Sequence, residues 1–390
     1  MSTPTVRPKV LHVITHLDLG GAESVAVSLA EALRDEFRFS FFAVLGVAEN
    51  DVGRNFGERL ARAQIPVFSG TRLEFKRGGA AHAAWRLNGV LRRVRPDVVH
   101  VHTEIPETTL AVGRFAFQPR ARVLRTIHSS TPWPAWRRLG RFVERQLEDA
   151  EVTAVSHAAW QGWQDFRTSV GLSAASHPER VLYSGVRATP LGTRASSHDR
   201  PVRVLFAGRF EPEKGAGLLP AILDGARALT SRAVDVTLLG HGSLEGDLKR
   251  WADGVSAPWT ARLSGPIPNL AAALGEYDVL VMPSRFEGLG IVAIEALLAG
   301  TPVVASDVPG LGEVFPAGYE LLAEPNDVSA FSRLLARVVD DPQGYASVAA
   351  RARSDMRERF GMEQMARRYG DVYRALAASD VPARVRLVWR

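Results

Sequence analysis

Short β-branched runs alternate with amphipathic stretches of helical period along most of this chain, a pattern that predicts parallel sheets covered by helices. In the first half the runs are KVLHVIT at 9–15, FSFFAVL at 39–45, DVVHVH at 97–102, VLRTIH at 123–128 and VTAVS at 152–156. Segments such as SVAVSLAEAL at 24–33 and AAWRLNGVLRRV at 83–94 separate them, with apolar residues at helical spacing. The period fails in the polar text RATPLGTRASSHDR at 187–200, which reads as a connector. It restarts with VRVLFAG at 202–208, VDVTLLG at 234–240, DVLVMP at 278–283 and TPVVAS at 301–306. The predicted fold class is α/β, with two Rossmann-like, doubly wound parallel-sheet domains facing a cleft. The first spans 1–187, a linker 188–200 and the second 201–361. A C-terminal helical segment, 362–390, is free to pack on either half, including back on the first domain.

A length of 390 residues agrees with two domains, because single cores stop growing below that size. The chain has no cysteine, which excludes a disulfide framework and thiolate chemistry and suits a reducing compartment. The opening text MSTPTVRPK carries no apolar signal core, and no run of about 18 apolar residues occurs, so a cytoplasmic protein without a membrane span is expected. The net charge of +6 is uneven. Residues 1–190 hold 25 Lys and Arg against 18 Asp and Glu, while the remainder is close to neutral. A basic half suits anionic lipid, nucleic acid or an acidic substrate.

In open parallel sheets ligands bind beyond the carboxyl ends of strands, so the strand-to-helix junctions are where chemistry is expected. The first junction holds Gly20, Gly21 and Glu23. Paired glycines let a phosphate approach the backbone at a helix start, or they simply make a tight turn with Glu23 as a favourable first-turn acid. The second is Gly208-Arg209-Phe210-Glu211-Pro212-Glu213-Lys214-Gly215. Arg209 and Lys214 can reach one point above the strand end and stabilise a diphosphate leaving group, or they pair with Glu211 and Glu213 as a solvated loop. The third, SRFEGLGIVAIE at 284–295, places Glu287 in a loop, Gly288 to Gly290 at a helix start and Glu295 in apolar helical sequence. A carboxylate among Ile, Val, Ala and Leu is costly to bury alone, and sugar hydroxyls are natural partners because they can donate to it.

The motifs GGAE, GRFEPEKG and FEGLGIVAIEALLAGTPVVAS, with its E-x7-E spacing, together with the strands DVVHVH and TAVSHA, follow the order seen in one family over roughly 9–375. The sequence resembles the retaining glycosyltransferases of family 4, which have the two-domain GT-B architecture. That resemblance implies that Arg209 and Lys214 hold the donor diphosphate, Glu287 binds hydroxyls of the donor sugar and Glu295 the ribose. It implies that Gly20 and Gly21 bring main chain to the phosphates, that Gly208, Gly288, Leu289 and Gly290 line the sugar–phosphate pocket, and that His128 contacts the transferred sugar. The sequence departs from the family at Leu289, where Phe is common, and at Arg187, where Asp or Asn commonly follows Gly-Val. His12 and His100 are expected to be packing residues.

The resemblance further implies retention, with a UDP-, GDP- or ADP-sugar as donor and a glycan or lipid-linked acceptor of cell-surface polysaccharide synthesis. No Asp-x-Asp triplet occurs, so no metal or other cofactor is expected and the chain's own cations must suffice. The segment 132–145 is basic and aromatic. If helical, it puts Trp136, Leu139, Phe142 and Val143 on one face, either on an anionic membrane or against the domain's own sheet. Three competing readings remain. The spacing Gly240-x-Gly242-x-x-x-Gly246 departs from a dinucleotide-binding fingerprint. A sugar-nucleotide epimerase would share the architecture. A nucleic-acid-binding protein would use the basic half, although its arginines form no known reading motif.

Overall fold

The computed structural model describes residues 7–379 apart from Leu19, 118–120, 176–178 and 188–199. The expected linker, Arg200 excepted, and residues 380–390 lie outside the described residues. Both halves are built from short strands that are apolar on both faces, as buried parallel strands must be. The first sheet comprises β1 (Lys9–Ile14), β2 (Arg38–Ala43), β3 (Val67–Ser69), β4 (Val98–His102), β5 (Arg122–Ile127) and β6 (Glu151–Ala154), all parallel, in the order β3-β2-β1-β4-β5-β6. Helices α1 (Gly21–Ala32), α2 (Asp51–Arg62), α3 (Ala80–Val94), α4 (Glu104–Phe117), α5 (Arg137–Gln146) and α6 (His157–Ser169) connect and follow these strands. Leu11, Val13, Val99 and Val101 face α3 and α4, while Val10, Ile14, Phe39, Phe41 and Val98 face the opposite layer with α1.

The second half repeats this plan. Strands β7 (Val202–Ala207), β8 (Val234–Leu239), β9 (Trp259–Ser264), β10 (Val279–Met282), β11 (Val303–Ser306) and β12 (Leu322–Ala323) lie in the order β12-β11-β10-β7-β8-β9. Counted from β9, that is the strand order of the first sheet. Helices α7 (Leu219–Arg227), α8 (Glu245–Asp253), α9 (Leu270–Ala273), α10 (Ile291–Leu298), α11 (Val328–Asp340) and α12 (Pro342–Phe360) belong to this half. The winding direction reverses between β1 and β4 and again between β7 and β10, and such switch points are where doubly wound folds open a crevice. The chain then returns. Val186 bonds Phe360 and Met362 through main chain, and α13 (Met362–Ala378) buries Met365, Tyr369 and Tyr373 in the core of the first sheet.

Strands β3 and β12 escape the hydrophobic pattern because both sit at sheet edges and are three residues or shorter; the edge strand β9 leaves every second residue exposed. The run at 152–156 ends early, at Ala154, because Ser156 leaves the strand to cap α6, accepting from the Ala159 N–H.

The basic segment forms only part of the apolar face expected of it, with Val143 buried and Leu139 and Phe142 half-buried against the first half's core. Helix α5 begins after Trp136, so this exposed residue stands outside the helix, with the Lys76 ammonium 4.5 Å from its ring. The inward face is Gly140, Val143 and Glu144. Glu144 is fully buried and accepts from Arg125 at 2.6 and 3.1 Å, Arg167 at 2.8 Å and the Trp163 indole at 3.1 Å. Arg125 also grips Glu107 with a two-pronged bond at 2.9 and 3.1 Å. Burial pushes the Glu144 carboxyl up, but Arg125, with Arg167 and Trp163, holds it below its ordinary value. Glu144→Ala would strand two buried guanidinium groups. It is expected to cost about 3–5 kcal/mol, read as an earlier urea transition of the first half; an unchanged midpoint would contradict this arrangement.

Candidate active site

At the switch point of the second sheet, two loops leave the carboxyl ends of β7 and β10. Main chain stitches them together, since the N–H groups of Arg285 and Phe286 donate to the Glu213 carbonyl at 2.9 and 3.4 Å. Lys214 Nζ thereby reaches Glu287 Oε1 at 2.7 Å, and the Ser284 hydroxyl donates to the same oxygen at 2.9 Å. Arg209 pairs with Glu213 at 2.9 Å, with about half of its side chain in solvent. An exposed pair of this kind is worth about 0–1 kcal/mol, so Arg209 can turn to another anion at little cost. Of the solvated-loop pairings, only Arg209 with Glu213 forms. Glu211 instead accepts from the Ser243 N–H and hydroxyl at 2.9 and 2.6 Å, which hold its carboxyl below the ordinary range.

The first half meets these loops directly. His128 lies just beyond β5, and Gly288 runs so close that a Cβ there would stand 1.9 Å from the His128 carbonyl oxygen. The Ser130 hydroxyl donates to the Glu287 carbonyl at 3.0 Å. Helix α1 starts opposite α10, with a Cβ on Gly21 lying 3.1 Å from Ile291 Cδ1. Asn50, Ser156, Asp327 and Asp341 cap α2, α6, α11 and α12 with their side chains. By contrast, α1 and α10 start after Gly20 and Gly290, which have none to offer. Gly290 turns through a φ of +86°, a conformation open to glycine. Two helix starts, each with unpaired N–H groups and a positive dipole end, therefore flank one gap.

Two carboxyls on α1 and α10 are held near neutrality. Glu23 folds back over Gly20, and burial pushes it up to about 7 against its own backbone N–H, with Asp18 adding to the rise and Arg209 opposing it. Burial alone pushes Glu295 up to about 7, and among the described residues no side chain or backbone group bonds its carboxyl. The structure thus brings together Arg209, Lys214, Glu287, Gly288 and His128, with Gly20 and Gly21 across the gap. Glu295, on the second turn of α10, makes no protein contact with that group. Gly208 closes β7, its N–H donating to the Leu239 carbonyl at 3.0 Å. The Leu289 side chain is buried in the core of the second half, so it can offer the gap only main chain. Ser130, Ser284 and the placement of Glu23 were not legible as site features. Nothing in a serine's spacing says which carbonyl or carboxylate it will meet, and Glu23 read only as a favourable first-turn acid.

Three histidines, His12, His100 and His102, bring ring nitrogens within 4.8 Å of one another. Their inward nitrogens are already hydrogen-bonded to one another, to Thr126 and to Tyr373, and among the described residues no carboxylate joins them to balance a dication. His12 and His100, expected to be packing residues, are indeed buried but also serve as hydrogen-bonding groups.

The family model for glycosyltransferase family 4 matches residues 19–168, and that for glycosyl transferases group 1 matches 194–355. The chain belongs to glycosyltransferase family 4. Phosphatidyl-myo-inositol mannosyltransferase of Mycolicibacterium smegmatis is 28% identical over 381 residues, covering 94% of this chain and 93% of its own. Glycogen synthase of Mycobacterium tuberculosis is 27% identical over 317 residues, covering 77% and 73%. Among solved structures, Anabaena HepE superposes with a TM-score of 0.75 at 19% identity, over 94% of this chain and 100% of that one. This family 4 glycosyltransferase therefore has the GT-B fold.

The raised Glu295 carboxyl has a measurable consequence. Its folded value lies above its unfolded one, so its contribution to stability is complete below about pH 4.5 and is lost as pH rises through about 7. Glu295→Gln in the ligand-free glycosyltransferase is expected to be more stable than the parent at pH 8, by at most about 3 kcal/mol, with the difference vanishing near pH 4. Thermal unfolding across that range checks it; parallel curves would show that the carboxyl is solvated.

Proposed function

We propose that this chain is a metal-independent, retaining hexosyltransferase. It moves a sugar from a nucleoside diphosphate donor to a glycan or lipid-linked acceptor in cell-surface polysaccharide synthesis, in the cytoplasm or at the inner face of the membrane. The observation that carries this reading is the placement of Arg209, the Lys214–Glu287 pair and two uncapped helix starts around one gap. A diphosphate needs donors and positive charge on more than one side, and the gap has both. HepE, solved in complex with UDP and glucose, has the same fold.

In this reading Arg209 and Lys214 hold the diphosphate, and the N–H groups around Gly20, Gly21, Gly208, Gly288, Leu289 and Gly290 line its path. Glu287 accepts from the donor sugar, Glu295 from the ribose, and His128 contacts the transferred sugar. Both carboxylates gain hydroxyl donors that the protein does not supply in full. The acceptor hydroxyl attacks the anomeric carbon from the face that the phosphate leaves. The carbon–oxygen bond to phosphate breaks as the new one forms, and the departing phosphate oxygen takes the acceptor's proton. Charge grows on that phosphate, where the fixed cations and helix starts stabilise it without reorganising.

No helix among the described residues is long and apolar enough to cross a membrane. Exposed Arg137, Arg138, Arg141 and Arg145, with Trp136, would bring the enzyme to anionic lipid. Co-sedimentation with phosphatidylglycerol vesicles that fails even at low salt would remove that element.

With a donor found by thermal-shift screening of UDP-, GDP- and ADP-sugars, Arg209→Ala or Lys214→Ala is expected to cost about 2–4 kcal/mol in transition-state stabilisation, read from kcat/KM. Turnover should persist in EDTA. Wild-type kinetics in both variants would refute the site, and a strict Mn²⁺ requirement the metal-independent reading. A sugar-nucleotide epimerase would instead convert its donor with no acceptor present.

A further inference from the structure

A single hydrogen-bonded file runs through the first half and ends at the cleft. His128 Nε2 lies 3.0 Å from His102 Nδ1, and His102 Nε2 lies 2.9 Å from His12 Nδ1. His12 Nε2 meets the Tyr373 hydroxyl of α13 at 3.4 Å, the longest link, and that hydroxyl is 2.7 Å from His100 Nδ1. His100 Nε2 in turn lies 2.7 Å from Thr126 Oγ1, which meets the Tyr369 hydroxyl at 3.1 Å. The register of β1 on β4 sets His12 beside His100, and the two-residue period of β4 sends His102 to the same face. Burial drives all four imidazoles below their ordinary values, His12 to about 3 and His128 to about 4, so each ring is neutral near pH 7.

A neutral imidazole has one N–H, so the nitrogen that does not donate must accept. In a file joined nitrogen to nitrogen, that rule propagates from ring to ring. If His102 Nδ1 donates to His128, its Nε2 must accept from His12 Nδ1. His12 Nε2 must then accept from the Tyr373 hydroxyl, whose oxygen accepts from His100 Nδ1. All four rings carry the proton on Nδ1. Reversing either ring-to-ring bond reverses both and puts the protons of His128, His102 and His12 on Nε2, whereas the Tyr373 oxygen, with two lone pairs, can still accept from His100 Nδ1. A mixed file would set two N–H groups or two lone pairs face to face in the buried core, where no water can mend the loss.

His128 Nδ1 is the open end of the file, and no described protein group bonds it. We infer that His102 and His12, closed by Tyr373, are positioning residues that hold the His128 proton on Nδ1, so that His128 presents a donor to a ligand oxygen in the cleft. The gap already has acceptors in Glu23 and Glu287, whereas a donor suits the oxygens of a sugar phosphate. The choice of Nδ1 rests on the proposed sugar-transfer reading; the coupling of the four rings does not. Through Tyr373, the tautomer at the cleft also depends on the docking of α13.

Histidine tautomers can be read directly from two-bond ¹⁵N–¹H correlations of the full chain carrying ¹⁵N-labelled histidine, with each ring assigned by a single substitution. All four rings are expected as Nδ1–H. Tyr373→Phe, which keeps the ring and removes only the hydroxyl, should leave His128 a mixture of tautomers. It should also lower kcat about ten- to a hundredfold with donor affinity unchanged, the scale seen when the partner orienting a functional histidine is lost. Mixed tautomers among His128, His102 and His12 in the parent protein, or an unchanged His128 in Tyr373→Phe, would overturn the coupling. Those three rings as Nε2–H would overturn the assignment of His128 as donor. If the rings behave as expected while no sugar is transferred from any donor, the coupling stands and the functional reading falls.

Discussion

The two halves of this enzyme depend on one close contact between main chains, where Gly288 passes the His128 carbonyl with no room for a Cβ. That approach lets a loop of the second sheet rest on a strand end of the first, so their helix starts open onto a shared gap. Side chains reinforce it. Ser130 bonds the Glu287 carbonyl, and the Glu313 carboxylate accepts from the His157 and Ala158 N–H groups at 2.9 and 2.8 Å, capping α6 from the other half. The return of α13 to the first core adds an apolar anchor. A backbone contact cannot repack as side chains can, so its geometry passes directly to the residues on either side.

The gap is costly to leave empty. Glu23 and Glu295 are desolvated, and uncapped helix starts present N–H groups with few protein acceptors. Glu23, folded over Gly20 beside its own N–H, partly fills the anion position at the start of α1. On the proposed reading, an arriving diphosphate takes that position and offers Arg209 a better partner than exposed Glu213. Binding then relieves strain already present rather than requiring new order, which is what preorganised stabilisation demands.

Much of this was legible in the sequence, for identifiable reasons. Buried parallel strands must be apolar on both faces, so β1, β4, β7 and β10 stood out, and the loops after β7 and β10 carried the charged residues. Edge strands β3 and β12 are too short to show a period. Trp136 seemed to extend an apolar stripe because its spacing matches Leu139 and Phe142, but spacing does not reveal that the helix starts one residue later. His12 and His100 read as packing residues because burial and hydrogen bonding look alike in a strand of Val and Ile. Only the register, which sets His12 against His100, shows that they touch.

The duplicated topology makes the difference between the halves informative. With the same strand order, the second half carries Arg209, Lys214 and Glu287 on loops at the strand ends, while the first buries ion pairs within its core. Arg114, Arg125 and Arg167 are all buried, paired with Asp149, with Glu107 and Glu144, and with Glu144 respectively. What the first half brings to the cleft is main chain, a helix start, one neutral imidazole and Glu23, a carboxyl that burial pushes up to about 7. The fixed cations come from the second. Such a division suits a reaction in which negative charge develops on the group held by one domain, while the other must approach closely without adding charge of its own.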